Sequence, residues 1–492
     1  MRNLSIIFLL IYFVVLLFIS LKDRNVEDSE DYFLAGRSFS KWALALTFIA
    51  SWYGGSSCLV TANETYNSGI GAFWVTSGPN ALAPVILIFF AVMIRKLGVI
   101  SQVKIMDMRY NKLSGSFVSI IVIWYMVTWA AAQMVSMGMF FSTYLGFTYV
   151  GAILFGVIIV LIYALLSGFK GVVITDMVQF WFLLAGMLIL MVTGLVKVGG
   201  FGNMVSALHA KSAVNGIQYF NLFENFGTNI MYVISFGLGW VISADVWQRI
   251  NAARNPSDAR DMLVIAAVAF VPLGAVTLIT GLTGAVLFDT MPEGGVVATL
   301  ATTMMSPAMG ALIFLGVGAA LMSTMDTAIN TGSLTITEDI YRKLINPDAD
   351  NKKVVRVGMI GTVIITVCGL LIAFKLRNIL WVLWMSSDII MCGVFTPLIM
   401  GFVWRRGNTK GALASMFGGS AFVLYNTLAD LGMNLPTPWP GWPYRLLYGL
   451  AIAVILYFGV SLLTEPEYEK ADAFLRKAKG LEENIESNAS KS

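Results

Sequence analysis

The chain has 492 residues, 58% of them hydrophobic and 12% charged, with a mean hydropathy of +0.78 and a formal net charge of +4. A soluble globular protein carries about twice that charged fraction. This composition excludes a soluble enzyme, a disordered chain and a nucleic-acid binder, and leaves a chain solvated mostly by lipid. Cys58, Cys368 and Cys392 stand apart in apolar runs and read as small core residues, without a disulfide or metal spacing. A single histidine, His209, rules out chemistry that needs two imidazoles.

A membrane-crossing helix needs about 20 predominantly apolar residues. Thirteen stretches qualify: 4–21, 42–66, 72–94, 115–146, 148–167, 172–196, 228–248, 262–289, 308–335, 354–374, 379–404, 411–432 and 445–463. They are numbered here as spans 0 to 12. Span 0 reads as a membrane span and not a signal peptide: only Arg2 precedes it, and no small-residue cleavage pattern occurs before Lys22. With the N-terminus outside, 26 of the 32 Lys and Arg residues fall in cytoplasmic segments. The other six are Arg2, Lys197, Lys211, Lys375, Arg377 and Arg445. That asymmetry predicts an N-out, C-in orientation in a plasma or bacterial inner membrane. Residues 1–464 then form one membrane domain, followed by a charged cytoplasmic tail, 465–492. A surface helix is expected over 465–481 and disorder over the last ten residues.

Span 1 runs inward to outward and span 6 the other way, so a five-helix block repeated from one to the other is inverted. Such a five-plus-five inverted repeat is the sequence shadow of an alternating-access carrier, whose site lies where paired discontinuous helices break. Span 1 carries Ser51-Trp52-Tyr53-Gly54-Gly55-Ser56-Ser57 and span 6 carries Phe236-Gly237-Leu238-Gly239-Trp240. Glycine is also common in membrane helices for packing alone. Two glycine-rich interruptions at equivalent places in opposed halves favour a binding site.

Ionisable side chains within spans are costly and default to function. Asp176, Asp245, Asp326 and Asp388 lie on spans 5, 6, 8 and 10, and Glu64 near the outer end of span 1. No Lys or Arg is expected deep in any span. A buried carboxylate without a counter-cation must be protonated, watered or paired with a bound cation. On span 8, Ser323, Asp326, Thr327 and Asn330 follow helical spacing and share a face, with Thr324 beside them. Serine and threonine commonly bond their own helix backbone, but four oxygen-bearing residues on one face exceed that need. Oxygen donors without His or Cys suit a hard ion such as sodium.

The sequence resembles the sodium/solute symporter family over nearly its whole length. The resemblance rests on Asp31 to Ser38 ahead of span 1, Thr175-Asp176 with Gln179 in span 5, and Gln248-Arg249 closing span 6. Ala320 to Thr324 in span 8, leading to Glu338-Asp339-Ile340-Tyr341, adds the most specific match. The resemblance implies a common sodium site built from the carbonyls of Ala50, Tyr53 and Ala320 with the hydroxyls of Ser323 and Thr324. It also implies a second sodium site, found in some members, using Asp176 with Ser323, Asp326 and Thr327. Asp326 replaces the serine or alanine of several members, so it either strengthens that site or takes a proton, and the stoichiometry stays open.

For the solute, Trp52 to Gly55, Trp129 to Ala132 and Ser386-Ser387-Asp388 resemble the high-affinity choline transporter branch. That resemblance implies an aromatic cage for a cationic or zwitterionic solute, with Trp52, Trp129, Phe236, Trp240 and Ser243 as wall residues. Ser243 falls where the branch has its third cage ring, and Trp240 lies one turn away. The proline branch carries an aspartate at the position of Trp52. The polar residues of the sugar branch on span 2 are missing, with Val75 and Thr76 in that region. A non-cationic solute such as an amino acid, urea, a monocarboxylate or a sugar remains the alternative. The expected activity is sodium-coupled import of a small organic solute, with no organic cofactor and no covalent chemistry. A transporter-like sensor, a membrane enzyme and a channel are the competing classes.

Overall fold

The computed structural model describes residues 2–22 and 29–481. The disorder expected for the last ten residues lies outside them. Every regular element among the described residues is a helix; one isolated bridge joins Phe39 to Ala253. With water absent from the bilayer core, each backbone group must be satisfied within its own segment, which only helices manage for an open chain.

Eleven described helices are long and apolar enough to cross a membrane, against thirteen expected. The difference lies in the first hundred residues. The first helix, Arg2–Lys22, is 21 residues long, and span 1 is divided at its break, so that its outer half is grouped with span 2 in Gly55–Lys96. Within that run the α-helices are Gly55–Ser68 and Ser77–Lys96, joined by a tighter 3-10 stretch, Gly69–Trp74. Spans 4 and 5 are two helices, Tyr149–Leu166 and Gly168–Lys197, that follow one another with a non-helical break at Gly168. Gly168 has φ +55°, and a Cβ there would lie 2.9 Å from the Tyr32 ring, so both its backbone and its neighbour require glycine.

Span 1 breaks where its glycines predict. Helix Lys41–Trp52 ends at Tyr53, and helix Gly55–Ser68 restarts after an extended Gly54. Span 6 breaks later than its glycines predict. Phe236, Gly237 and Leu238 lie in a π-helical turn that continues into helix Gly239–Val241. The chain leaves helical geometry only at Ile242 and Ser243, before helix Ala244–Ala252. The reason is packing: a Cβ at Gly239 would sit 2.3 Å from Ser387 Oγ of span 10, so this glycine serves close approach.

Span 8, Pro307–Leu334, is buried almost throughout from Gly310 onward and packs most extensively against the segment 149–197 and Lys112–Leu145. It continues as a wide π-helical stretch, Thr335–Ile345, ten residues beyond the expected end. The tail forms a helix, Tyr468–Lys479, within the expected limits, with Phe474 packed on Phe402 at 5.1 Å between ring centroids.

Candidate cation and solute site

The interruption of span 1 frees carbonyls of its inner helix from the i to i−4 ladder. Trp52 O accepts from Asn80 Nδ2 at 3.3 Å, and Ser51 O accepts from Thr324 Oγ1 of span 8 at 3.1 Å. Thr324 Oγ1 also reaches its own helix at Ala320 O, 3.0 Å away. A Cβ at Gly54 would fall 2.1 Å from Thr324 Oγ1, so the glycine is what lets span 8 touch the break. Thr324 and the Ala320 carbonyl therefore meet the broken segment of span 1 at the Ser51 carbonyl, which lies between the expected ligands Ala50 and Tyr53. Sequence reasoning did not single out that carbonyl.

Ser323, one residue earlier, points to a second cluster. Its hydroxyl donates to Asp176 Oδ1, and Thr47 Oγ1 donates to Asp176 Oδ2. Ser51 Oγ lies 3.0 Å from Thr327 Oγ1 and 3.4 Å from Asp176 Oδ2. Spans 1, 5 and 8 thus bring Thr47, Ser51, Asp176, Ser323 and Thr327 together, all of them buried. Asp326 does not join by hydrogen bonding: both of its carboxylate oxygens are buried without such a partner among the described residues.

The expectation of no deep cation is wrong. Arg249 is 0% exposed. Its Nη2 lies 3.3 Å from Asp176 Oδ2 and its Nη1 lies 3.3 Å from Asp245 Oδ2. Read along the chain, Arg249 is a cytoplasmic flank of span 6. The break at Ile242–Ser243 instead redirects the following helix, and its one turn from Asp245 to Arg249 is buried on every side. The two carboxylates make that burial tolerable.

Asp245 connects this cluster to an aromatic wall. It accepts from Trp52 Nε1 at 3.0 Å and from the hydroxyl of Ser243, which also bonds Tyr125 Oη at 2.9 Å. Trp52 meets Trp240 at 5.5 Å between centroids, Phe236 stacks on Trp240 at 4.9 Å, and Trp129 stacks on Tyr125 at 5.9 Å. A narrow cavity is enclosed by Trp52, Trp129, Trp240 and Leu383 on its apolar side. Its polar side is made by Ser51, Ser56, Ser57, Thr76, Asn80 and Thr324. Phe236 and Ser243 lie behind this wall and do not line it. Span 2 is also more polar at the cavity than the sequence reading held. Thr76 Oγ1 bonds Ser57 Oγ at 2.9 Å, and Asn80 stands one turn further along. Asp388 lies apart from the cavity, where its carboxylate accepts from Ser235 Oγ at 2.6 Å and from Trp384 Nε1.

Known proteins match this chain over most of its length. A high-affinity proline transporter of Bacillus subtilis is 25% identical over 92% of this chain and 96% of its own. A sodium/glucose cotransporter of Vibrio parahaemolyticus is 24% identical over 90% of this chain and 86% of its own. Among solved structures, a Na+-coupled sialic acid symporter superposes with a TM-score of 0.80 at 19% identity, covering 94% of this chain and 98% of that one. That likeness carries the fold. None of these relatives supports the choline branch. The sequence pattern of the Sodium:solute symporter family matches residues 32–419, and the chain belongs to that family.

Proposed function

We propose that the protein imports a small zwitterionic or cationic organic solute together with sodium, by alternating access around the breaks of spans 1 and 6. The observation that carries this is the meeting of Thr324 with the freed Ser51 carbonyl of span 1, both of them lining the cavity walled by Trp52, Trp129 and Trp240. An ion at that point touches both the moving helix break and span 8. In this reading the carbonyls of Ala50, Tyr53 and Ala320 and the hydroxyls of Ser323 and Thr324 hold the first sodium. Asp176 and Thr327, with Asp326 near them on span 8, belong to a second cation site. Oxygen donors of this kind suit a hard monovalent ion.

For the solute, the aromatic faces attract an ammonium group, and Ser56, Ser57, Thr76 and Asn80 supply hydrogen bonds to a carboxylate or hydroxyl. The proline transporter among the relatives acts on a zwitterion, which fits this division of the cavity. Choline is one candidate within the class. Sodium favours the outward-open state and the solute completes closure, each through its differential binding to the states, which is what coupling requires. We place the N-terminus outside and the C-terminus in the cytoplasm on the asymmetry of Lys and Arg. The test is uptake into proteoliposomes with an inward sodium gradient. Labelled proline, betaine, choline, a neutral sugar, urea and a monocarboxylate are compared. Sodium-driven accumulation of a zwitterion or organic cation is expected. Accumulation of the sugar, urea or monocarboxylate alone overturns the solute class, and full-rate uptake without sodium overturns the coupling.

A further inference from the structure

Arg249 Nη2 stands within reach of four oxygens. It lies 2.6 Å from Ser51 Oγ, 3.1 Å from Thr47 Oγ1, 3.1 Å from Thr327 Oγ1 and 3.3 Å from Asp176 Oδ2. These oxygens come from spans 1, 5 and 8. A guanidinium Nη carries two hydrogens, so the nitrogen has more acceptors around it than it has donors to give. A bare cation has no such limit, because it satisfies every oxygen in its shell at once. The surroundings of Nη2 are therefore those of an ion cage, occupied by one end of a side chain.

The other end of the guanidinium is held differently. Nη1 donates to Asp245 O at 3.2 Å and to Asp245 Oδ2 at 3.3 Å, while Nε has no hydrogen-bond partner among the described residues. An arginine devoted to one carboxylate makes two parallel bonds to it. Arg249 gives up that fork and is divided between Asp176 and Asp245. One charge is shared by two carboxylates, so whichever loses it needs another cation.

We propose that Arg249 is a tethered stand-in for a second sodium ion. It holds Asp176 when the ion is absent; sodium displaces it from the cage, and the guanidinium then pairs with Asp245 alone. This rests on the reading that sodium is the coupling ion and that the first sodium sits at Thr324. The exchange keeps a positive charge beside Asp176 and Asp245 at every stage, so neither of these two carboxylates is stranded. It also gives the ion a route to the solute. Asp245 accepts from Trp52 Nε1, so a stronger hold of Arg249 on Asp245 is felt at the cavity wall.

The experiment is equilibrium binding of radiolabelled sodium to the purified full-length protein, with no transport in the readout. Wild type is expected to bind one sodium tightly and a second weakly, against the resident guanidinium. Arg249→Ala removes the competitor and should tighten the second sodium by about tenfold or more, within the usual range of such couplings. Adding Asp176→Asn to Arg249→Ala should abolish the second sodium. Free guanidinium ion should compete with the second sodium in Arg249→Ala, whereas urea, of the same shape without the charge, should not. If Arg249→Ala fails to fold, Arg249→Gln with Asp245→Asn keeps the net buried charge and must show the same tightening. A second sodium as weak as in wild type, with the first intact, overturns this proposal alone. A first sodium that is absent in wild type, or unaffected by Thr324→Ala, overturns the underlying site.

Discussion

Ser323 and Thr324 are neighbours in sequence, yet their hydroxyls serve different oxygens. Thr324 donates to the broken end of span 1, and Ser323 donates to Asp176. Their alanine variants should therefore differ. Thr324→Ala removes a donor from the first sodium and should weaken sodium activation of uptake by about 1–3 kcal/mol, the usual cost of leaving a buried partner unmatched. Ser323→Ala also removes a partner of Asp176, so it should lower the apparent sodium affinity and the thermal stability together. Sodium titrations of uptake, with a thermal melt beside them, check both; equal and small effects would detach span 8 from the ion. At the cavity, Trp52 and Trp129 present rings on the apolar side. If their faces hold an ammonium group, phenylalanine at either position should weaken solute binding modestly, and alanine more, through loss of both quadrupole and packing. Trp52→Phe should have a second effect that Trp129→Phe lacks, because it also removes the Nε1 donor to Asp245. Solute affinities unchanged in both alanine variants would return the tryptophans to packing roles. The aspartates and hydroxyls were legible as functional candidates because polar groups inside spans are rare. Arg249 was not, since the sequence places it at a span end, where positive charge is ordinary.

At the scale of the helix, glycine has two uses that look alike in sequence. Gly54 sits at a true interruption, with its backbone extended and Thr324 in the space a side chain would fill. Gly239 lies inside continuous helix and lets span 6 press on Ser387. Gly54→Ala should push Thr324 away from the Ser51 carbonyl. The expected cost is about 1–3 kcal/mol in stability from overpacking, with a loss of sodium activation. Adding Thr324→Ala should recover part of the stability, because Oγ1 is the closest atom, but none of the sodium response. A Gly54→Ala protein with wild-type melting and wild-type sodium dependence would show that the contact between the break and span 8 is not required. The span 6 break at Ile242–Ser243 carries no glycine or proline. It is stabilised by Ser243 bonding both Tyr125 and Asp245, partners on a distant span and two residues ahead. Local propensity therefore could not mark it.

For the molecule as a whole, the orientation rests on 26 of 32 cationic side chains falling on one side. Burying Arg249 moves one of them into the protein and leaves the asymmetry intact. A reporter active only in the cytoplasm should be active when fused after Ser492. It should be silent when inserted in the segment between Leu287 and Val296; the reverse pattern would invert the topology. On the C-terminal side, the tail helix is fastened by Phe474 against Phe402 and by an ion pair of Arg405 with Asp472. Phe474→Ala should free the tail to proteolysis while leaving the membrane domain folded, as limited digestion would show. Such an exposed ion pair adds little by itself, so Asp472→Asn should have a much smaller effect.

Apolar run length, the count of cationic flanks and the rarity of acids in spans determined the membrane class, the helical architecture and the importance of spans 1, 5 and 8. Those properties are local or additive along the chain, and a bilayer imposes them directly through hydrogen-bond satisfaction and desolvation. Tertiary structure decided where span 6 breaks, that Asp176 and Asp245 share Arg249, and that Asp326 stands without a hydrogen-bond partner among the described residues. It also decided that Thr76 and Asn80 give the cavity a polar side. Each of these depends on which distant side chains arrive at the same point. A buried charge is tolerated or excluded by neighbours as far apart in sequence as Asp176 and Arg249, and neither hydropathy nor spacing along one helix carries that information.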